Sequence, residues 1–183
     1  MGTRNLTIVL VNGKVKVAQY GQWDGYPTGV GKTIAKFIQN ELDLKTFKKY
    51  ASQLELATKQ MIKDSWIDSG ADPNSDRVTF DVADMHSSIY PEFSRDTGAY
   101  ILGLIQTGLV SHVDNQYSFI KNSLFCEWAY ELDLDKQVVK VYKGSQHIGH
   151  DKYGPCKVIK TYKFNEFTEN AMDALENNLS KDE

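Results

Sequence analysis

The chain has 183 residues, of which 41% are hydrophobic and 25% charged, with a net charge of −3. That is enough for one substantial core, residues 1–183 as a single domain, and no apolar run approaches the roughly 20 residues that a membrane-spanning helix needs. Met1-Gly2-Thr3-Arg4-Asn5 lacks the basic start, apolar stretch and small-residue cleavage site of a secretory signal, and Cys126 and Cys156 are the two cysteines, so a cytoplasmic protein without a disulfide framework is expected.

The charge is segregated. Residues 1–63 carry ten Lys/Arg against four Asp/Glu, and residues 64–135 carry three against thirteen. Residues 136–163 then carry seven lysines against Asp151, and residues 164–183 carry Lys181 against six acids. Such blocks either present surfaces of opposite sign to different partners or neutralise one another across the fold.

In chain order, Thr3 to Val11 alternates toward Leu6, Ile8 and Leu10, and Val15, Val17 and Tyr20 continue the alternation after Asn12-Gly13. Asn-Gly between two alternating runs predicts a β-hairpin, because both residues tolerate the positive φ of a type I′ turn. Ile34, Phe37, Ile38 and Leu42, then Phe47, Tyr50, Ala51, Leu54, Met61 and Ile62, recur at helical spacing. They predict two helices, or one broken near Asp43, over about residues 32–68. Ser69 to Ser75 is a loop by its Gly, Pro and Asx content,. Val78 to Val82 reads as a short strand, Asp96 to Thr107 as a short apolar helix, and Val110 to Val113 with Gln116 to Ile120 as a hairpin around Asp114-Asn115. Phe125 to Leu132 and Val138 to Tyr142 make another hairpin, Lys157 to Phe164 is a further strand, and Phe167, Ala171, Leu175 and Leu179 mark a closing helix. Hairpins dominate over βαβ crossovers, so the expected fold class is α+β: a mainly antiparallel sheet built from hairpins, with helices packed on one face.

The densest cluster of unusual residues is Gln22-Trp23-Asp24-Gly25-Tyr26-Pro27-Thr28-Gly29-Val30-Gly31-Lys32-Thr33. Its ending resembles a phosphate-binding loop, yet that pattern needs glycine where Tyr26 stands, and Gly25 is one place too far away. Trp23, Asp24 and Tyr26 are instead candidates for binding a partner, the rings as anchors and the carboxylate for orientation.

Other constellations are weaker. His147-Ile148-Gly149-His150 spells the ATP-binding signature of class I aminoacyl-tRNA synthetases, but it lies late in the chain, in a loop between antiparallel strands. His147, His150, Asp151 and Cys156 contain zinc-ligating chemistry without a ligand framework, and a solvated loop is the simpler reading. Ser87, Ser88 and Cys126 could be set beside His86 or His112, but no serine occupies a nucleophile elbow, and Cys126 next to Phe125 and Trp128 reads as a core residue. Asp81, Asp84, Glu92 and Asp96 would make an acid/base pair or magnesium site only if the fold gathered them; a solvated acidic face is the commoner outcome. Neither a cofactor nor a metal is expected. Lys136, Lys140, Lys143, Lys152, Lys157, Lys160 and Lys163 interleave with Tyr142, Tyr153 and Tyr162. Lys140, Lys157 and Lys160 are the candidates for contacting nucleic-acid phosphates, and the alternative is a lysine-protected sheet edge.

Gly2-Thr3-Arg4-Asn5-Leu6-Thr7, Gln22-Trp23-Asp24-Gly25-Tyr26-Pro27, and Glu127 to Asp135 continuing to Val141-Tyr142-Lys143-Gly144 resemble a family of small proteins of phages and bacteria. Within it the chain is similar to phage anti-CRISPR proteins that act on type II-A Cas9. The resemblance implies a non-enzymatic inhibitor in the host cytoplasm that binds Cas9 with its guide RNA, with double-stranded DNA as a second partner; it carries over no contact residues. The competing expectation is a small hydrolase or nucleotide-binding enzyme using residues 22–33 and the acids of 81–96.

Overall fold

The computed structural model describes residues 2–75 and 77–181; Met1, Asp76, Asp182 and Glu183 lie outside the described residues. Strands β1 (Asn5–Val11) and β2 (Lys14–Gly21) form the expected hairpin, with Asn12 and Gly13 at φ 51° and 70°. After the loop at 22–26, a continuous helical segment runs as a π turn (Pro27–Gly31), α1 (Lys32–Lys36) and a second π turn (Phe37–Glu41). Asp43 breaks the helix and starts α2 (Leu44–Gln53), its carboxylate accepting from the Thr46 amide at 2.9 Å, as an N-cap does.

Three expectations needed correction. The helix anticipated to 68 is interrupted because Leu54 is extended and buried, delivering β3 (Glu55–Leu56) to a parallel pairing with β4 (His112–Val113). Thr58 then caps α3 (Lys59–Asp68) through the Met61 amide. Residues 78–82 are not a strand: Thr79 caps the helix α4 (Phe80–Ile89), and Asp81 stands in its first turn, so capping chemistry overrides the β-leaning run,. The hairpin around Asp114-Asn115 is also absent. The Asn115 side chain accepts from the Tyr117 amide and Gln116 N–H donates to the Ala18 carbonyl, so the chain docks on β2 and coils into a 3-10 turn at Tyr117–Lys121.

Except at 147–153, the remaining elements follow the sequence pattern. A 3-10 turn at Gly98–Tyr100 leads into α5 (Ile101–Gln106). Strands β5 (Trp128–Asp133) and β6 (Val138–Lys143) pair as a hairpin. The stretch read as a loop carries a small hairpin of β7 (His147–Gly149) and β8 (Lys152–Tyr153) before β9 (Lys157–Lys163) and α6 (Glu169–Leu179). The main sheet has the order β2-β1-β5-β6-β9; every pair is antiparallel except β1 with β5. This is an α+β fold with a mostly antiparallel sheet. One sheet face, with Val9, Tyr130, Leu132 and Val139, packs on Ile34, Phe47, Ile101 and Met172 of the helices. The other, with Leu6, Ile8 and Ala129, is covered by Ile120, Cys126 and Cys156. Both cysteines are free thiols, and Cys156 Sγ donates to the Cys126 carbonyl at 3.1 Å.

Helices α3 and α4 are joined by a buried contact. His86 stacks flat on Trp66 at 3.7 Å between centroids, and its Nε2 lies 2.9 Å from Ser65 Oγ. Because Ser65 Oγ donates to the Ile62 carbonyl, Nε2 is the donor to it and Nδ1 is the unprotonated nitrogen, buried with no partner among the described residues. Burial lowers the His86 pKa below its ordinary 6.5. The unfolded chain therefore takes up the proton more readily than the folded one, and stability is expected to fall as pH drops below about 6.5. Urea unfolding between pH 7.5 and 5 should show that loss, and His86→Gln should flatten the part of the slope that His86 contributes.

Candidate functional site

The loop following β2 is built by close approach of backbone to backbone. Gly25 N–H donates to the Thr3 carbonyl at 2.9 Å and Val30 N–H to the Asp24 carbonyl at 2.8 Å. A Cβ at Gly25 would lie 2.7 Å from Thr3 O, and one at Gly29 would lie 2.1 Å from Asp24 O, so only glycine fits either place. Two buried side chains hold the loop from beneath: Asn5 Nδ2 donates to the Trp23 carbonyl at 2.9 Å, and Tyr130 Oη donates to the Gly25 carbonyl at 2.8 Å. Burial, and after it the Glu176 carboxylate, hold the Tyr130 phenol well above its ordinary pKa, so it stays a neutral donor.

The end of this segment that resembles a phosphate loop is already occupied by α6. Thr28 N–H donates to Glu176 Oε2 at 2.8 Å, Lys32 Nζ meets Asp173 Oδ1 at 2.6 Å, and Lys36 Nζ meets Glu169 Oε2 at 3.4 Å. Carboxylates of the chain itself take the places that phosphate oxygens would take at a helix start.

Beside the loop lies a cleft of about 160 Å³ whose lining includes Trp23, Asp24, Thr33, Asp96, Gly98 and Tyr100. Trp23 Nε1 donates to Asp96 Oδ1 at 2.7 Å. Trp23 is 50% exposed and Tyr100 is 70% exposed. Of the three residues expected to bind a partner, Trp23 and Asp24 border this cleft. Tyr26 packs partly against the helix-side core instead, while its hydroxyl donates to Asp24 Oδ1 at 3.0 Å, a bond that raises its pKa. Tyr100 was missed as a site residue because it is far from the loop in sequence and sits in an apolar run; nothing local marks it.

The other expected constellations are dispersed. Asp81 and Asp84 are exposed on α4, and Asp84 shares a second groove, about 400 Å³, with Trp66, Phe80, Phe93 and Asp96. Only Asp96 of the four acids reaches the loop cleft. Ser87 Oγ pairs with Ser94 Oγ and Ser88 Oγ donates to the Asp84 carbonyl, so neither faces His86, which is bound to Ser65. His112 pairs with Ser111, and the buried Cys126 Sγ donates to the Trp128 carbonyl. His147 and His150 are exposed on the small hairpin whereas Cys156 is buried. Among the described residues, no group of three His, Cys, Asp or Glu is placed to hold a metal ion.

The lysine strands divide between faces. Lys140 stands opposite Glu131 and Thr161, and its ammonium binds the buried Glu131 carboxylate at 2.7 Å. Lys160 pairs with Val141 and Lys157 with Lys143, on the side of the sheet where Val139 and Val141 meet the helices. Lys157 and Lys160 are exposed at the free edge of the sheet, the latter over the Tyr162 ring. Lys140 is thus separated from the two lysines it was grouped with.

A comparison with family models, curated proteins and solved structures finds no match to this chain.

The Tyr130 to Gly25 bond yields a direct prediction. Tyr130→Phe leaves a buried carbonyl without its donor and is expected to lower stability by about 1–3 kcal/mol. Urea denaturation measures it, and amide exchange should show faster opening of residues 25–30.

Proposed function

We propose that the protein is a non-enzymatic binding protein, and that its partner is a type II-A Cas9 carrying its guide RNA, inhibited in the host cytoplasm in the manner of phage anti-CRISPR proteins. The observation that carries the binding reading is Trp23: its carbonyl is fixed by Asn5 and its indole by Asp96, yet half of the residue faces solvent. A large ring held in one place before the partner arrives loses little entropy on binding, which suits an interface anchor. The choice of Cas9 rests on the sequence motifs at residues 2–7, 22–27 and 127–144. The segregation of charge along the sequence supports engagement of a large, strongly charged complex,.

A stoichiometric binder must approach the concentration of its target. Titration against a fixed amount of guide-loaded Cas9 is therefore expected to reach full inhibition of DNA cleavage near equimolar. Complete inhibition at a small fraction of that would replace binding with turnover, the hydrolase alternative, and no inhibition at large excess across several type II-A enzymes would overturn the partner. Trp23→Ala is expected to raise the concentration needed for half-inhibition at least tenfold.

Double-stranded DNA is proposed as a second partner at the β9 edge, where Lys157 and Lys160 are exposed. Ammonium–phosphate pairing of this kind is salt-sensitive and indifferent to base sequence. Changing both Lys157 and Lys160 to Gln should weaken DNA retention and reduce the salt slope by about 2, close to one for each phosphate no longer neutralised. The paired change Lys140→Gln with Glu131→Gln, which leaves no buried charge unpaired, should leave retention unchanged, because that ammonium is committed to Glu131,.

A further inference from the structure

We infer that the cleft beside Trp23 is a receptor for a single organic cation, the ammonium or guanidinium group of a Lys or Arg side chain on the partner. The inference deepens the binding reading given above and rests on it for the partner, though not for the chemistry of the cleft. Three features point the same way. The cleft, at about 160 Å³, is well below the roughly 300–1,000 Å³ of sites for drug-sized molecules, and suits one side chain. Its rim carries two exposed rings, Trp23 and Tyr100, whose π faces attract cations.

Its lining includes two carboxylates, Asp24 and Asp96. Asp24 Oδ1 receives Tyr26 and Asp96 Oδ1 receives the Trp23 indole, with Arg95 Nε 4.0 Å away, while neither Oδ2 has a partner among the described residues. Two half-used carboxylates and two rings are complementary to a group that brings N–H donors and positive charge. An anion would meet the two carboxylates, and a neutral apolar group would leave the acceptors unsatisfied. Among the chain's own cations, Arg95 lies 4.0 Å from Asp96 Oδ1, whereas Lys32 is paired with Asp173 and Lys36 with Glu169.

The test uses capped Gly-Arg-Gly and Gly-Lys-Gly peptides, with the neutral isosteres Gly-citrulline-Gly and Gly-acetyllysine-Gly as controls, titrated into the full chain. The readout is the indole N–H resonance of Trp23, assigned through Trp23→Phe. Expected are saturable shifts with the cationic peptides, weaker at high salt, and at least tenfold weaker binding for the neutral ones. Tyr100→Ala, a change at an exposed ring, and Asp24→Asn are each expected to weaken binding several-fold with the amide spectrum otherwise intact. Equal response to citrulline and arginine peptides, no saturable shift with either cation, or undiminished binding in both variants would overturn the inference. The same variants in the Cas9 titration separate the two readings. Inhibition that survives loss of cation binding defeats the cleft as the anchor site, whereas cation binding without any inhibition of Cas9 defeats the choice of partner alone.

Discussion

Strand β1 is covered on both faces, and much of the architecture follows from that burial. Leu6 and Ile8 face the layer formed by residues 117–126 and 156, and Val9 and Val11 face the helices, all at or near zero exposure. A strand with no face in water has nowhere to send its backbone groups except to neighbours on both edges. β2 supplies one edge through a tight turn. The other is filled by β5, more than a hundred residues away and parallel, so the chain must make a long excursion before it returns. Within that excursion, the helical segments at 27–53 and 98–106 cover the sheet face that would otherwise lie open.

The same geometry fixes the loop at 22–31. It crosses the end of β1 so closely that its glycines are required, and Asn5 and Tyr130, both rooted in the sheet, hold it by hydrogen bonds to its carbonyls. Ordering this segment costs conformational entropy that its own few contacts would not offset. It is ordered because the sheet beneath it and α6 beside it already are. The half-exposed Trp23 ring thus rests on the rigid part of the molecule rather than on a mobile tip.

Charge segregation along the chain is partly cancelled in space. Basic α1 lies against acidic α6 through Lys32–Asp173 and Lys36–Glu169, and Lys48 reaches Asp135, whose carboxyl it holds below its ordinary pKa. Lys140 neutralises Glu131, which is 5% exposed and also accepts from Tyr142. A buried carboxylate without such a partner would be strongly destabilising, so the pair belongs to the structure of the sheet. Lys157 and Lys160 stay exposed at the sheet edge, and Asp96, beside Arg95, borders both grooves.

The sequence by itself determined the elements governed by local chemistry. The Asn12-Gly13 turn, the β5–β6 hairpin, the break at Asp43, the closing helix and the α+β class all follow from turn residues, caps and the period of apolar side chains, which act over a few positions. It failed where distant groups compete with local preference. Val78 to Val82 favours a strand until the Thr79 cap is counted, and residues 110–120 look like a hairpin until Ala18 of β2 takes the Gln116 amide. For the site, Trp23, Asp24 and the lysines were legible as residue types able to bind. Only the tertiary structure decided that Asp96 and Tyr100 join Trp23 in a cleft, that α6 rather than phosphate fills the helix start, and that Lys140 belongs to Glu131. Each of these is a contact between segments far apart in the chain, and no local pattern encodes which opposite charge or which ring will arrive.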